Sequence, residues 1–155
     1  MVTAELTITG PGSGAFTLDA ANSDLSDYNI TNDVFNAQMV PSYGPAYVFA
    51  MRGFTIANTG YIGIYVDGPS VNIDDIVLTE GAGPEACGLE LRNLSGTVTN
   101  SAIHVACPGA TVGINGSDAV TISNTEFSGI ETNGITSDLS GDAALTLENV
   151  TLADN

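Results

Sequence analysis

An all-β solenoid is the architecture this sequence predicts, from one recurring hexapeptide, one spacing and one alternation. The hexapeptide is apolar, any, Asn/Asp/Gly, any, any, apolar, as in Ile122-Ser123-Asn124-Thr125-Glu126-Phe127. It returns in Ile30-Thr31-Asn32-Asp33-Val34-Phe35, Met51-Arg52-Gly53-Phe54-Thr55-Ile56, Ile73-Asp74-Asp75-Ile76-Val77-Leu78, Val98-Thr99-Asn100-Ser101-Ala102-Ile103 and Leu147-Glu148-Asn149-Val150-Thr151-Leu152. Ile8-Thr9-Gly10 begins a further copy, in which Pro11-Gly12-Ser13-Gly14 delays the second apolar element to Phe16 and Leu18. The copies start 22, 21, 22, 25, 24 and 25 residues apart, and a near-constant period of this size marks stacked repeats. About seven coils of 21–25 residues in a single domain, 1–155, are therefore expected.

Each copy is entered by residues alternating with the period of two that a strand requires: Leu6 and Ile8, Phe49 and Met51, Val71 and Ile73, Val120 and Ile122, Leu145 and Leu147. Gly96 before Val98 is the exception. Ile73, Ile122 and Leu147 should then face a continuous interior, with Thr7, Thr9, Asn72, Asp74, Thr97, Thr99, Thr121 and Ser123 outward. The residue after each strand belongs to the types that tolerate left-handed backbone at a tight bend. Asn32, Asp75, Asn100, Asn124 and Asn149 are expected to stack as a turn ladder, with Gly10 and Gly53 at the same corner. A second repeated element, Gly63-Ile64, Gly88-Leu89, Gly113-Ile114 and Gly134-Ile135, supplies another strand per coil. The stretches 19–27 and 36–44 carry no clear copy and read as loops.

Composition narrows function. With 18 acids, no Lys, and Arg52 and Arg92 as the whole basic complement, the net charge of −16 opposes binding to phosphate backbones or anionic membranes. No apolar run approaches the ~20 residues of a membrane-spanning helix. Met1–Leu6 has no charged leader region and passes straight into strand-like alternation, and the last copy breaks off after Leu152. A fragment of, or stacking unit in, a longer assembly is expected, its partners being further coils or identical subunits.

Cys87 and Cys107 fall in the two longest connections between the turn and the Gly-Ile element, 13 residues each against 10 elsewhere, so a disulfide between neighbouring coils is expected in an oxidising compartment. Two cysteines and a distant His104 do not make a zinc site, and no metal or cofactor is expected. His104 should point outward, without a Ser, Cys or carboxylate partner at a recognisable spacing.

The period, the Asn-bearing turn, the repeated Gly-Ile and the opening Leu6-Thr7-Ile8-Thr9-Gly10-Pro11-Gly12 resemble right-handed parallel β-helix proteins of the pectate-lyase-like superfamily, most closely bacterial secreted or surface β-helix repeats. The resemblance covers about the whole chain and implies an extracellular or cell-surface location; many activities, and none, share that scaffold. Its enzymes usually work on the face bearing the Gly-Ile element, where Tyr65, Asp67, Glu90, Arg92, Asn115, Ser117, Thr136 and Asp138 should point outward. Rung and residue spacings put Asp67 and Glu90 ~8 Å apart at Cα, compatible with an inverting carboxylate pair. Tyr65 could then stack on a sugar and Arg92 clamp a carboxylate. Against this, 18 acids on a small surface generate such pairs by chance, and lyase chemistry lacks its lysine. A non-catalytic structural or adhesive module is the expected function, and a carbohydrate-active fragment using Asp67 and Glu90 the alternative.

Overall fold

The computed structural model describes residues 6–19, 33–38, 48–59, 62–68, 70–80, 87–106, 109–131 and 133–153. Within them the chain forms only strands, all paired in parallel: β1 (Leu6–Thr9), β2 (Thr17–Asp19), β3 (Asp33–Gln38), β4 (Val48–Thr59), β5 (Ile62–Asp67), β6 (Ser70–Glu80), β7 (Cys87–Arg92), β8 (Gly96–Thr99), β9 (Ala102–His104), β10 (Ala110–Ile114), β11 (Ala119–Ser123), β12 (Glu126–Ser128), β13 (Ile135–Leu139), β14 (Ala144–Glu148) and β15 (Thr151–Ala153). They make two sheets. The smaller runs β13-β10-β7-β5-β3, and the larger holds the remaining ten strands.

Together these sheets wind a parallel β-solenoid, so the fold class is as expected, but the coil count is about four rather than seven. The complete coils are β5–β6, β7–β9, β10–β12 and β13–β15, each giving one strand to the smaller sheet and two strand segments to the larger. Ahead of them β3 and β4 follow the same order, and β1 and β2 lie on β4. The discrepancy has a specific origin. Ile8 pairs directly with Met51, leaving no rung between them for the copy that begins at Ile30. Residues 33–38, the tail of that copy and the start of an expected loop, instead form β3 in the other sheet, beside β5. Asn32 lies outside the described residues.

Elsewhere the hexapeptide register holds. Met51, Ile73, Val98, Ile122 and Leu147 are successive partners in one column, and Leu18, Ile56, Leu78, Ile103, Phe127 and Leu152 in the next. From Met51 to Ile122 and from Ile56 to Phe127 these side chains are fully buried. The interruption at Gly96 has a packing cause, since a Cβ there would strike the carbonyl and side chain of Val71.

The corner between the two columns is a left-handed turn. Gly53, Asp75, Asn100, Asn124 and Asn149 have φ between 49° and 75° there, where Gly and Asn pay least. Asn149 Nδ2 donates to Asn124 Oδ1 (2.8 Å) and Asn124 Nδ2 to Asn100 Oδ1 (3.4 Å). Asn100 Nδ2 then turns to Asp74 Oδ1 (2.8 Å) rather than to Asp75. Asp75 is taken from the other side: because Gly53 has no side chain, Ser13 in the loop after β1 donates its N–H (3.2 Å) and hydroxyl (2.7 Å) to the Asp75 carboxylate.

Candidate functional site

The outward face of the smaller sheet brings the sequence-expected residues together. Tyr65 is level with Glu90, and Asp67 with Arg92, which makes Asp67 and Glu90 diagonal neighbours. Both carboxylates are engaged. Arg92 forms an ion pair with Glu90. Asp67 Oδ1 accepts from Asn93 Nδ2 (2.8 Å) and its Oδ2 from the Tyr65 hydroxyl (3.3 Å). Burial first, and then the negative charge of Asp67, raise the Tyr65 phenol above its ordinary value.

On the next coil the expected register fails. Leu89 pairs with Ala110, which pairs with Ile135, so the stacked glycines are Gly88, Gly109 and Gly134, and Gly113 is not among them. The reason is internal space: a Cβ at Gly88 would strike Ile103, one at Gly109 would meet Phe127 Cδ1 at 2.5 Å, and one at Gly134 would meet Leu152 Cδ2 at 2.9 Å. The glycine of each coil makes room for the large apolar residue of that coil's last strand. Thr111 and Gly113, not Asn115 and Ser117, therefore share rows with Glu90 and Arg92. Asn115 joins a second turn ladder that the sequence reading missed: its Nδ2 donates to Asn93 Oδ1 (2.6 Å), and Asn93 donates to Asp67. Asn93 too has a positive φ, 49°. A cavity of about 330 Å³ on this face is bordered by Arg92, Asn93, Thr111, Gly113, Asn115 and Asp138, with neither Asp67 nor Glu90 lining it.

His104 also departs from expectation, since its Nδ1 is hydrogen-bonded to the buried Ser128 Oγ. The two are 24 residues apart and exact partners on β9 and β12, so one repeat period was the signal that would have joined them. Nucleophilic chemistry would also require a group orienting the imidazole. No carboxylate hydrogen-bonds to His104 among the described residues, and the pair reads as a way of satisfying a buried hydroxyl. Of the expected bridge, Cys107 lies outside the described residues. Among those described, no three or more His, Cys, Asp or Glu converge where they could hold a metal ion.

Along the smaller sheet's face, then, each residue of the expected acidic pair is held by a neighbour, and the arrangement offers a mixed polar surface. Compared with known proteins, the chain matches no family model, no curated protein and no solved structure.

Proposed function

We propose that this chain is a non-catalytic structural or adhesive β-helix module of a secreted or cell-surface protein, akin to the pectate-lyase-like superfamily in scaffold, whose last rung is a surface for further β-helix coils or for a second copy stacked head to tail. The observation that carries this reading is the last coil. Leu139, Leu147 and Leu152 are 42, 49 and 56% exposed although each stands in an interior column, and no described strand pairs with the far edge of β13, β14 or β15. An unpaired parallel edge beside an apolar cross-section is a template for another strand. The opposite end presents matching columns, so Leu147 of one copy would sit beneath Ile8 of the next, and Leu152 beneath Leu18. Such a contact is heterologous and need not close. The net charge of −16 opposes it, but screening shortens that repulsion to about 8 Å at physiological salt, while apolar burial persists. A disulfide between Cys87 and Cys107 belongs to the same extracellular reading; thiol counting by mass spectrometry on protein from an oxidising compartment tests it.

Sedimentation across protein and salt concentration decides the stacking. Association that grows with salt and is lost in Leu147→Asp is expected, as is a disulfide-linked ladder when Thr7→Cys and Thr146→Cys are combined. A strict monomer at high salt overturns the stacking of copies. The hydrolase alternative rests on the diagonal placement of Asp67 and Glu90, and polysaccharide cleavage lost in both Asp67→Asn and Glu90→Gln would establish it instead.

A further inference from the structure

On the other wall of the solenoid, the outward row Thr7, Ala50, Asn72, Thr97 is interrupted by a small side chain at Ala50. Arg52 stands beside that gap, two residues along β4 and on the same side of the strand. A groove of about 360 Å³ results, lined by these residues and by Met51, Asp74 and Thr99, at the small end of the ~300–1,000 Å³ usual for small-molecule sites.

What distinguishes this groove is which of its polar groups are already used. Arg52 is one of two basic residues in the chain, and the other is committed to Glu90. Arg52 is exposed and makes neither an ion pair nor a side-chain hydrogen bond among the described residues. Its register partner is Asp74, yet the Asp74 carboxylate is turned to the following coil, where Oδ1 accepts from Thr99 Oγ1 (2.7 Å) and Asn100 Nδ2 (2.8 Å). Asn72 Oδ1 is likewise taken, by the Thr97 hydroxyl at 3.1 Å. The groove thus keeps unspent donors, the Arg52 guanidinium and the Asn72 amide hydrogens. The oxygens of Thr97 and Thr99, having given their protons to Asn72 and Asp74, retain lone pairs that accept.

We propose that this groove binds a small hydroxylated carboxylate, an acidic sugar or hydroxy acid. The ligand carboxylate would take the planar fork of Arg52, with the Asn72 amide beside it, and ligand hydroxyls would donate to Thr97 and Thr99. Charge steering does not help an anion reach a protein of this net charge, so recognition rests on contact within the groove. The groups sit on adjacent rungs of one sheet, whose backbone pairing presets their spacing. The proposal does not rest on the stacking, although Thr7, at one edge of the groove, also stands in the rung that would meet the last rung of another copy.

The test is titration of the whole chain with D-glucuronate, D-glycerate, D-glucose and acetate, followed by amide NMR shifts. Glucuronate or glycerate should perturb Ala50, Arg52, Asn72 and Thr97, and bind at least tenfold more tightly than glucose or acetate. The tighter of the two tells an acidic sugar from a short hydroxy acid. Arg52→Gln should abolish binding, Arg52→Lys should weaken it by losing the bidentate fork, and Ala50→Leu should block it without changing charge, all three with melting temperatures close to that of the parent. Glucose or acetate binding as well as the hydroxy acids, binding undiminished in Arg52→Gln, or no perturbation at these residues would overturn the proposal.

Discussion

Coils β10–β12 and β13–β15 carry the same pattern and the same strand directions, yet their interiors differ. Ile122 and Phe127 are fully buried, while Leu147 and Leu152, in the same two columns, are about half exposed. In the smaller sheet Val112 is buried and its partner Ser137 is exposed, so one inward position of the last coil has also turned polar. The lesson is that in a solenoid the local pattern decides which way a side chain points, whereas the neighbouring coil decides whether that direction is dry. Each coil is stabilised largely by what is stacked upon it.

The largest expected effect breaks this comparison at its apolar column. Ile122→Ala should cost about 2–5 kcal/mol by urea denaturation, as buried aliphatic truncations do. Leu147→Ala in the same column should cost less than about 1 kcal/mol in the monomer. Equal losses would mean that the last rung is covered in solution, which concentration dependence would then reveal.

Next comes the glycine stack. Gly109→Ala would drive a methyl into Phe127 and the Gly134 carbonyl, and overpacking of this kind costs about 1–3 kcal/mol. Gly134→Ala meets only the Leu152 side chain, which is exposed and can move aside, so its cost should be clearly smaller. Reversal of that order would show that the corner is not packed as described.

The Asn ladder sharpens the comparison further. Asn124 donates to Asn100 and accepts from Asn149, whereas Asn149 has a described ladder bond on one side only. Replacing Asn124 by Ala should cost about 1–2 kcal/mol, chiefly the left-handed backbone penalty at φ 49°. Asn124→Gly should recover that part and leave only the lost amide bonds. Asn149→Ala should lose the backbone part and one bond.

The smallest expected effect is a pH dependence. Hydrogen bonds from Thr99 and Asn100, and to a lesser degree the charge of Arg52, hold Asp74 below the ordinary carboxylate range against the opposing effect of burial. Its folded-state pKa therefore lies below the unfolded value of about 3.9, so its contribution is complete above that pH and disappears as pH falls through the lower, folded value. Thr99→Val should flatten the acid limb of stability against pH, and an unchanged limb would show that this bond does not hold in solution.

Strand direction, the Met51-to-Leu147 register and the Asn corners were determined by the sequence alone, because alternation and tolerance of left-handed backbone act within a few residues. The Ile30 copy shows the limit of that reading, since its tail satisfies a strand pattern but pairs in the other sheet. Choosing Gly109 over Gly113 required knowing where Phe127 projects, and the His104–Ser128 pair required the offset between two coils. Tyr65, Asp67, Glu90 and Arg92 stand at neighbouring register positions of one sheet, but that Arg92 pairs with Glu90 while Arg52 forms no ion pair among the described residues was decided by side-chain choices among several near neighbours. Only the tertiary structure settles such matters. Loop lengths shift one coil against the next by a few residues, and each shift reassigns which side chains meet without altering the pattern within either coil.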